Sequence, residues 1–186
     1  MKKYAASRQE RGFTLVEMLV VVAIIALLAA ILVPTLGGAQ KTARKRKAEL
    51  ECNNIKTAVE QFYSDFRYMP WGKPNDDKNR VGADQWAENA GDQKNVMAFL
   101  QGDNKLHKAY LEISSRDNGS SSSSSTTEGV FYDPWGNPYR IGMDRNMDEQ
   151  VQWNGKTYKA RVLVYSLGPD GKDNTKDDIR TFDVED

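Results

Sequence analysis

Four carboxylates, Asp170, Asp173, Asp177 and Asp178, fall within nine residues near the C-terminal end of the chain. A fifth, Glu17, stands alone at the start of a long apolar run. The first group has the composition of a cation site. Gly168 and Gly171 permit tight turns that aim backbone carbonyls inward, and hard oxygen ligands in a flexible loop suit Ca²⁺. The loop is not an EF-hand, because no starting Asp has Gly at the sixth position and Glu at the twelfth. A solvated acidic turn is the plainer alternative. Against it, four carboxylates without a counter-ion repel one another. Cys52 is the only cysteine, so no intramolecular disulfide can fix the last strand, and a small domain without that staple often uses a metal.

Glu17 poses a different problem. From Met18 to Val33 no polar residue intervenes, and the segment Phe13–Leu36 is long enough as a helix to cross a hydrocarbon core of roughly 30 Å. An acid at membrane depth costs about 2.5–3.5 kcal/mol even on the lenient insertion scale, so it is assigned a function and a partner by default. The residues ahead of the run carry Lys2, Lys3, Arg8 and Arg11 and end in Gly12. A secretory signal is cut after its apolar region. A cut at Gly12/Phe13 instead leaves the helix on the mature chain, with a new amino terminus on Phe13.

The elements that must position these residues follow from periodicity. Beyond Gly37-Gly38 the apolar residues Ala48, Cys52, Ile55, Val59, Phe62 and Phe66 recur at alternating spacings of four and three, which is a helical stripe. The pattern predicts one helix from Phe13 to about Arg67, roughly 80 Å long at 1.5 Å per residue. Pro34 and the two glycines predict a bend or a melted turn between Pro34 and Gly38. Met69-Pro70 and Gly72-Lys73-Pro74 end the helix.

The segment Asn75–Gly91 is polar and reads as a surface loop, Asn95–Leu100 as a short helix, and Tyr110-Leu111-Glu112-Ile113 as an apolar clamp on the long helix. Ser120–Ser125 has nothing to bury and reads as a mobile loop. Phe131–Tyr139 combines turn formers with aromatics, and Tyr139-Arg140-Ile141 begins a strand. Val151-Gln152-Trp153, Asn154-Gly155 and Lys156-Thr157-Tyr158 make a tight hairpin. Arg161–Tyr165 is the strongest strand and Ile179–Phe182 a short final edge. The expected fold class is α+β: a long N-terminal helix, hydrophobic in its first half and amphipathic in its second, packed on a small C-terminal antiparallel β-sheet.

The run Gly12-Phe13-Thr14-Leu15-Val16-Glu17 before an apolar segment resembles the leader of type IV pilins and type II secretion pseudopilins. Asp133-Pro134-Trp135-Gly136-Asn137-Pro138-Tyr139 and Ser166-Leu167-Gly168-Pro169-Asp170-Gly171 further resemble the major, G-type pseudopilin. The resemblance implies cleavage by a prepilin peptidase between Gly12 and Phe13, N-methylation of Phe13, and assembly through Glu17, whose carboxylate would pair with the Phe13 ammonium of a neighbour. It implies residues 1–12 as leader, 13–36 as the transmembrane and assembly helix, and 37–186 as a periplasmic pilin-like domain. It also implies calcium held by Asp170 and Asp178 with backbone oxygens near Leu167 and Lys172, with Asp173 and Asp177 as further candidates. Expected partners are further copies in a helical filament, the prepilin peptidase, the secretion platform, minor pseudopilins and the bacterial inner membrane.

Other functions lack their residues. The formal net charge of zero gives no argument for nucleic-acid binding. No Gly-x-Ser-x-Gly elbow, His pair or His-Glu motif marks a hydrolase; scattered carboxylates such as Glu112 and Asp144 are all that such a reading could use. His107 is the sole histidine and reads as a surface or packing residue. No phosphate-binding glycine loop is present. A type IV pilin for adhesion, motility or DNA uptake shares the leader and stalk, but the missing cysteine pair and the Asp-Pro-Trp-Gly motif count against it. The positive-inside rule is indecisive, since Lys41, Arg44, Lys45, Arg46 and Lys47 oppose the basic leader.

Overall fold

The computed structural model describes residues 13–72, 82–112 and 129–183, with the backbone alone described at 32–36. The leader, the serine run and Ile113 of the apolar clamp lie outside the described residues. The chain divides into two compact units, Met1–Thr42 and Ala43–Asp186.

Helix α1 spans Leu15–Phe66, 52 residues. The melted turn expected between Pro34 and Gly38 is not formed, and the helix continues through those positions. Proline removes a single intrahelical donor, and the helix is held on both sides of that gap; Thr42 adds a side-chain bond from Oγ1 to the Gly38 carbonyl, 3.1 Å. The helix stops where Arg67 turns left-handed at φ 60°, its N–H closing on the Tyr63 carbonyl at 2.7 Å, the usual geometry past a helix end.

In the second unit the stripe is buried as its spacing requires. Ala48, Cys52, Ile55, Val59 and Phe62 are inside, with Ala58 beside them and Phe66 half-buried against the same cluster. Phe62 stacks on Phe66 with ring centroids 4.4 Å apart, and meets Tyr110 edge-on at 5.6 Å. The clamp thus closes on the helix through Tyr110. Helix α2, Ala90–Leu100, supplies Val96, Met97, Phe99 and Leu100 to this core. It starts earlier than its apolar residues indicated, because Asn89 caps it by accepting the Asp92 N–H at 2.9 Å.

The sheet holds β1 (Gln85–Ala87), β2 (Arg140–Met143), β5 (Val162–Ser166) and β6 (Ile179–Arg180) in the order β1-β2-β5-β6, every pair antiparallel. Strands β3 (Val151–Trp153) and β4 (Lys156–Tyr158) form a separate hairpin. Its turn residues Asn154 and Gly155 have φ of 48° and 76°, as a type I′ turn demands. All five residues of β5 are buried, and successive side chains of a strand point to opposite faces. Val162 and Val164 pack into the helix-side core. Leu163 and Tyr165 pack with Val151 and Trp153 of the hairpin.

Strand β1 lies inside the segment read as a polar loop. Trp86 pairs with Gly142 and covers it so closely that a Cβ there would lie 2.5 Å from the indole. The indole N–H donates to the Gln152 carbonyl at 2.8 Å, tying the sheet edge to the hairpin. Gly142→Ala is expected to destabilise the protein by about 1–3 kcal/mol, the usual cost of overpacking a tight interior, and thermal denaturation should show a clearly lowered midpoint.

Candidate functional site

Two regions carry the chemistry, one in each unit. In the first, Thr14 and Glu17 form a capping box. The Thr14 hydroxyl accepts the Glu17 N–H at 3.2 Å. Glu17 Oε2 accepts the Thr14 N–H at 2.8 Å and the Thr14 hydroxyl at 2.7 Å. Reciprocal bonding of this kind satisfies orphan donors at a helix start. Both bonds use Oε2, and Oε1 has no partner among the described residues. Around the box the side chains are uncovered: Phe13 is 78 % exposed, Leu15 80 % and Ile31 63 %. Among the described residues no helix is long and apolar enough to cross a membrane. The expected span Phe13–Leu36 includes residues 32–36, whose side chains lie outside that description.

In the second unit, the loop between β5 and β6 gathers oxygen atoms around one hydroxyl. Thr175 Oγ1 lies 2.7 Å from Asp177 Oδ1, 3.1 Å from Asp178 Oδ1, 3.4 Å from the Lys172 carbonyl and 3.5 Å from Asp170 Oδ1. A hydroxyl has one hydrogen to donate, so at most one of these acceptors receives it. The Asp178 side chain is covered, and its Oδ2 accepts from Arg180 at 2.6 Å and from the Thr175 N–H at 3.2 Å. Asp177 Oδ2 accepts the Asp170 N–H at 3.2 Å. The Thr175 hydroxyl, with the Asp170 N–H behind it, holds the Asp177 carboxyl below the usual carboxylate range. Two halves of the loop touch at Gly168, φ 65°, where a Cβ would lie 2.4 Å from the Asp177 carbonyl oxygen. Only glycine allows that approach.

Asp173 departs from the expected set. Its two oxygens lie 3.0 and 3.1 Å from the Tyr165 hydroxyl, which donates to the carboxylate and ties it to the hairpin-side cluster. Leu167 closes β5 with its side chain in that same cluster. Among the described residues no three acidic, histidine or cysteine side chains group as a metal site. A cation here needs the Thr175 hydroxyl and backbone carbonyls beside the carboxylates. Such a mixed, all-oxygen donor set fits calcium.

Residues 7–33 match the family model described as the prokaryotic N-terminal methylation motif. The chain is 26 % identical over 179 residues to the type II secretion system core protein G of Aeromonas hydrophila, covering 96 % of each chain. It is 28 % identical over 177 residues to core protein G of Escherichia coli (strain K12), covering 95 % of this chain and 94 % of that one. Over nearly its whole length the chain is similar to these core proteins G. No solved structure matches it significantly.

The remaining candidate residues of this chain have plain structural roles. Asp144 is buried and its carboxylate accepts the N–H groups of Met147, Asp148 and Glu149 at 2.6, 3.3 and 2.8 Å, closing a turn. His107 is exposed, its N–H donating to the Asn104 carbonyl at 2.9 Å. Burial pushes the Cys52 thiol well above its ordinary pKa, and its Sγ lies 3.7 Å from the Ile179 carbonyl.

Sequence reasoning missed Thr175, although a hydroxyl between Asp173 and the pair Asp177-Asp178 was the available signal. It also missed Gln93, and it placed Asp133 and Ser166 in motifs without the bond that joins these buried residues across 33 positions. Gln93 bridges two segments, donating to the Tyr139 carbonyl at 2.8 Å and accepting the Phe131 N–H at 2.9 Å.

Proposed function

We propose that this protein is a G-type pseudopilin, a structural subunit of a type II secretion pseudopilus that polymerises through its N-terminal helix to drive protein export across the outer membrane. The observation that carries the reading is the coincidence of two likenesses. The methylation motif covers the start of the apolar helix, and the likeness to core protein G runs over nearly the whole chain. The motif implies processing by a prepilin peptidase between Gly12 and Phe13, with methylation of the Phe13 amine.

In this reading the unprocessed chain is stored in the inner membrane with its head in the periplasm, and the uncovered apolar side chains pass from lipid to sister helices on assembly. Glu17 then has two duties. Oε2 holds the capping box of its own helix, and Oε1 accepts the Phe13 ammonium of the next subunit. Removing one member of a buried charge pair strands the other, typically at about 3–5 kcal/mol. The secretion platform, minor pseudopilins and a separate ATPase are the partners that such a filament requires, and the chain itself has a structural role without catalysis.

The loop after β5 is read as a calcium site. Asp170, Asp177, Asp178, the Thr175 hydroxyl and backbone oxygens near Leu167 and Lys172 would hold the ion, which would neutralise the clustered carboxylates. What supports this is the convergence of acceptor oxygens on one hydroxyl and the close approach at Gly168. Asp173, engaged by Tyr165, contributes no ligand in this arrangement.

Two outcomes test the reading. Glu17→Leu should leave the processed protein in the membrane fraction and abolish pseudopili in electron micrographs of producing cells; filaments at the normal level would reject the Glu17 pairing. In detergent-solubilised full-length protein, calcium should slow proteolysis after Tyr165 relative to chelator, and Asp170→Ala should remove the protection. Equal cleavage of the unaltered protein with calcium and chelator would reject the site.

A further inference from the structure

The turn Asp133-Pro134-Trp135-Gly136-Asn137 lies against the first half of the β5–β6 loop, and its polar groups are spent there. Asp133 is 2 % exposed. Its Oδ1 accepts the N–H groups of Trp135 and Asn137 at 3.0 and 2.8 Å, which locks the turn. Its Oδ2 accepts the Ser166 hydroxyl at 2.6 Å and lies 3.4 Å from Asn137 Nδ2. Ser166 Oγ in turn accepts the Gly168 N–H at 3.0 Å. Asn137 Nδ2 donates to the Gly168 carbonyl at 3.0 Å. On the far side of Asp170, a Cβ on Gly171 would lie 3.1 Å from Asn137 Oδ1. Asn137 therefore touches the loop on both sides of Asp170.

The turn does not need these contacts to close, since the Asp133 N–H already meets the Asn137 carbonyl at 2.8 Å and the Gly136 N–H meets the Asp133 carbonyl at 3.0 Å. Nor does β5, which pairs with β2 from Val162 to Tyr165 and with β6 at Tyr165 and Ser166. What the contacts fix is the backbone from Gly168 to Gly171. Asp133 itself has no cationic partner in these bonds, and its negative field is felt at Cys52 and Tyr139, where it adds to the upward push that burial begins.

We infer that Asn137 and Asp133 are positioning residues for the calcium loop: they set the path of Gly168–Gly171 before the ion arrives, so that Asp170 and the neighbouring carbonyls are presented without reordering. The inference rests on the calcium reading above. Groups that orient metal ligands from behind typically govern affinity by roughly ten- to a hundred-fold, while the turn and sheet that carry them keep their own bonds.

The test is calorimetric titration of Ca²⁺ into the full-length protein in detergent, with melting of each protein in chelator. Asn137→Ala should weaken calcium binding by roughly ten-fold or more, with a melting midpoint in chelator close to that of the unaltered protein. Ser166→Ala removes the second link at nearly constant volume and should weaken binding in the same direction. It provides the decision if Asn137→Ala does not fold. Calcium binding by the unaltered protein together with undiminished affinity in the folded variants would overturn the positioning role alone. Absence of binding by the unaltered protein would overturn the calcium reading and this inference with it.

Discussion

The constraint on which the rest depends is that one helix meets two solvents. From Leu15 to Ile31 the described side chains of α1 are exposed and all but Glu17 are apolar; from Ala48 onward the same helix buries every third or fourth residue. Burial of apolar surface is the dominant favourable term in folding and in most association. The second half finds that burial within its own chain, against α2 and the sheet. The first half finds none there, so its cover must come from outside, as lipid or as further copies. The proposed filament would use both in turn, with the carboxylate at Glu17 setting the register of the exchange.

The head meets a second constraint at its other end. Strand β6 has only two residues, and no disulfide ties it down. Several weak devices share the work instead. The Thr181 N–H donates to the Val164 carbonyl at 3.0 Å, and the Thr181 hydroxyl accepts the Val164 N–H at 3.0 Å. Arg180 reaches the Thr175 carbonyl and Asp178, and its guanidinium lies 5.0 Å from the Trp153 ring. Buried Tyr139 joins the sheet to α1 through its hydroxyl on Glu51, and burial together with that carboxylate keeps the phenol protonated. These contacts hold the strand from the sheet side. The acidic loop before it is held by the Asp133–Asn137 turn.

Much of this was legible in the chain because it rests on strong local periodicity. The stripe from Ala48 to Phe62, the Asn154-Gly155 hairpin and the strand at Val162–Ser166 are all as their patterns required. The errors have physical causes. Proline at 34 and the glycine pair promised a break, but each weakens a helix without removing the bonds around it. Strand β1 carries a single large residue, and its pairing depends on a glycine more than fifty positions away that leaves room for the indole. Helix α2 begins at a cap, a signal that apolar spacing does not contain. The contact between Asp173 and the Tyr165 hydroxyl spans eight positions and has no periodic signal. Thr175 looked like nothing, and four acceptor oxygens surround it.

The account stands on the amine that cleavage would create at Phe13, the group proposed to give Glu17 its counter-charge and the exposed helix its register. Mass spectrometry of the protein recovered from assembled filaments measures it directly. The account predicts a mature chain that starts at Phe13 and carries a methyl group on its amine. A chain that still begins at Met1, or one cut on the far side of the apolar run, would contradict it.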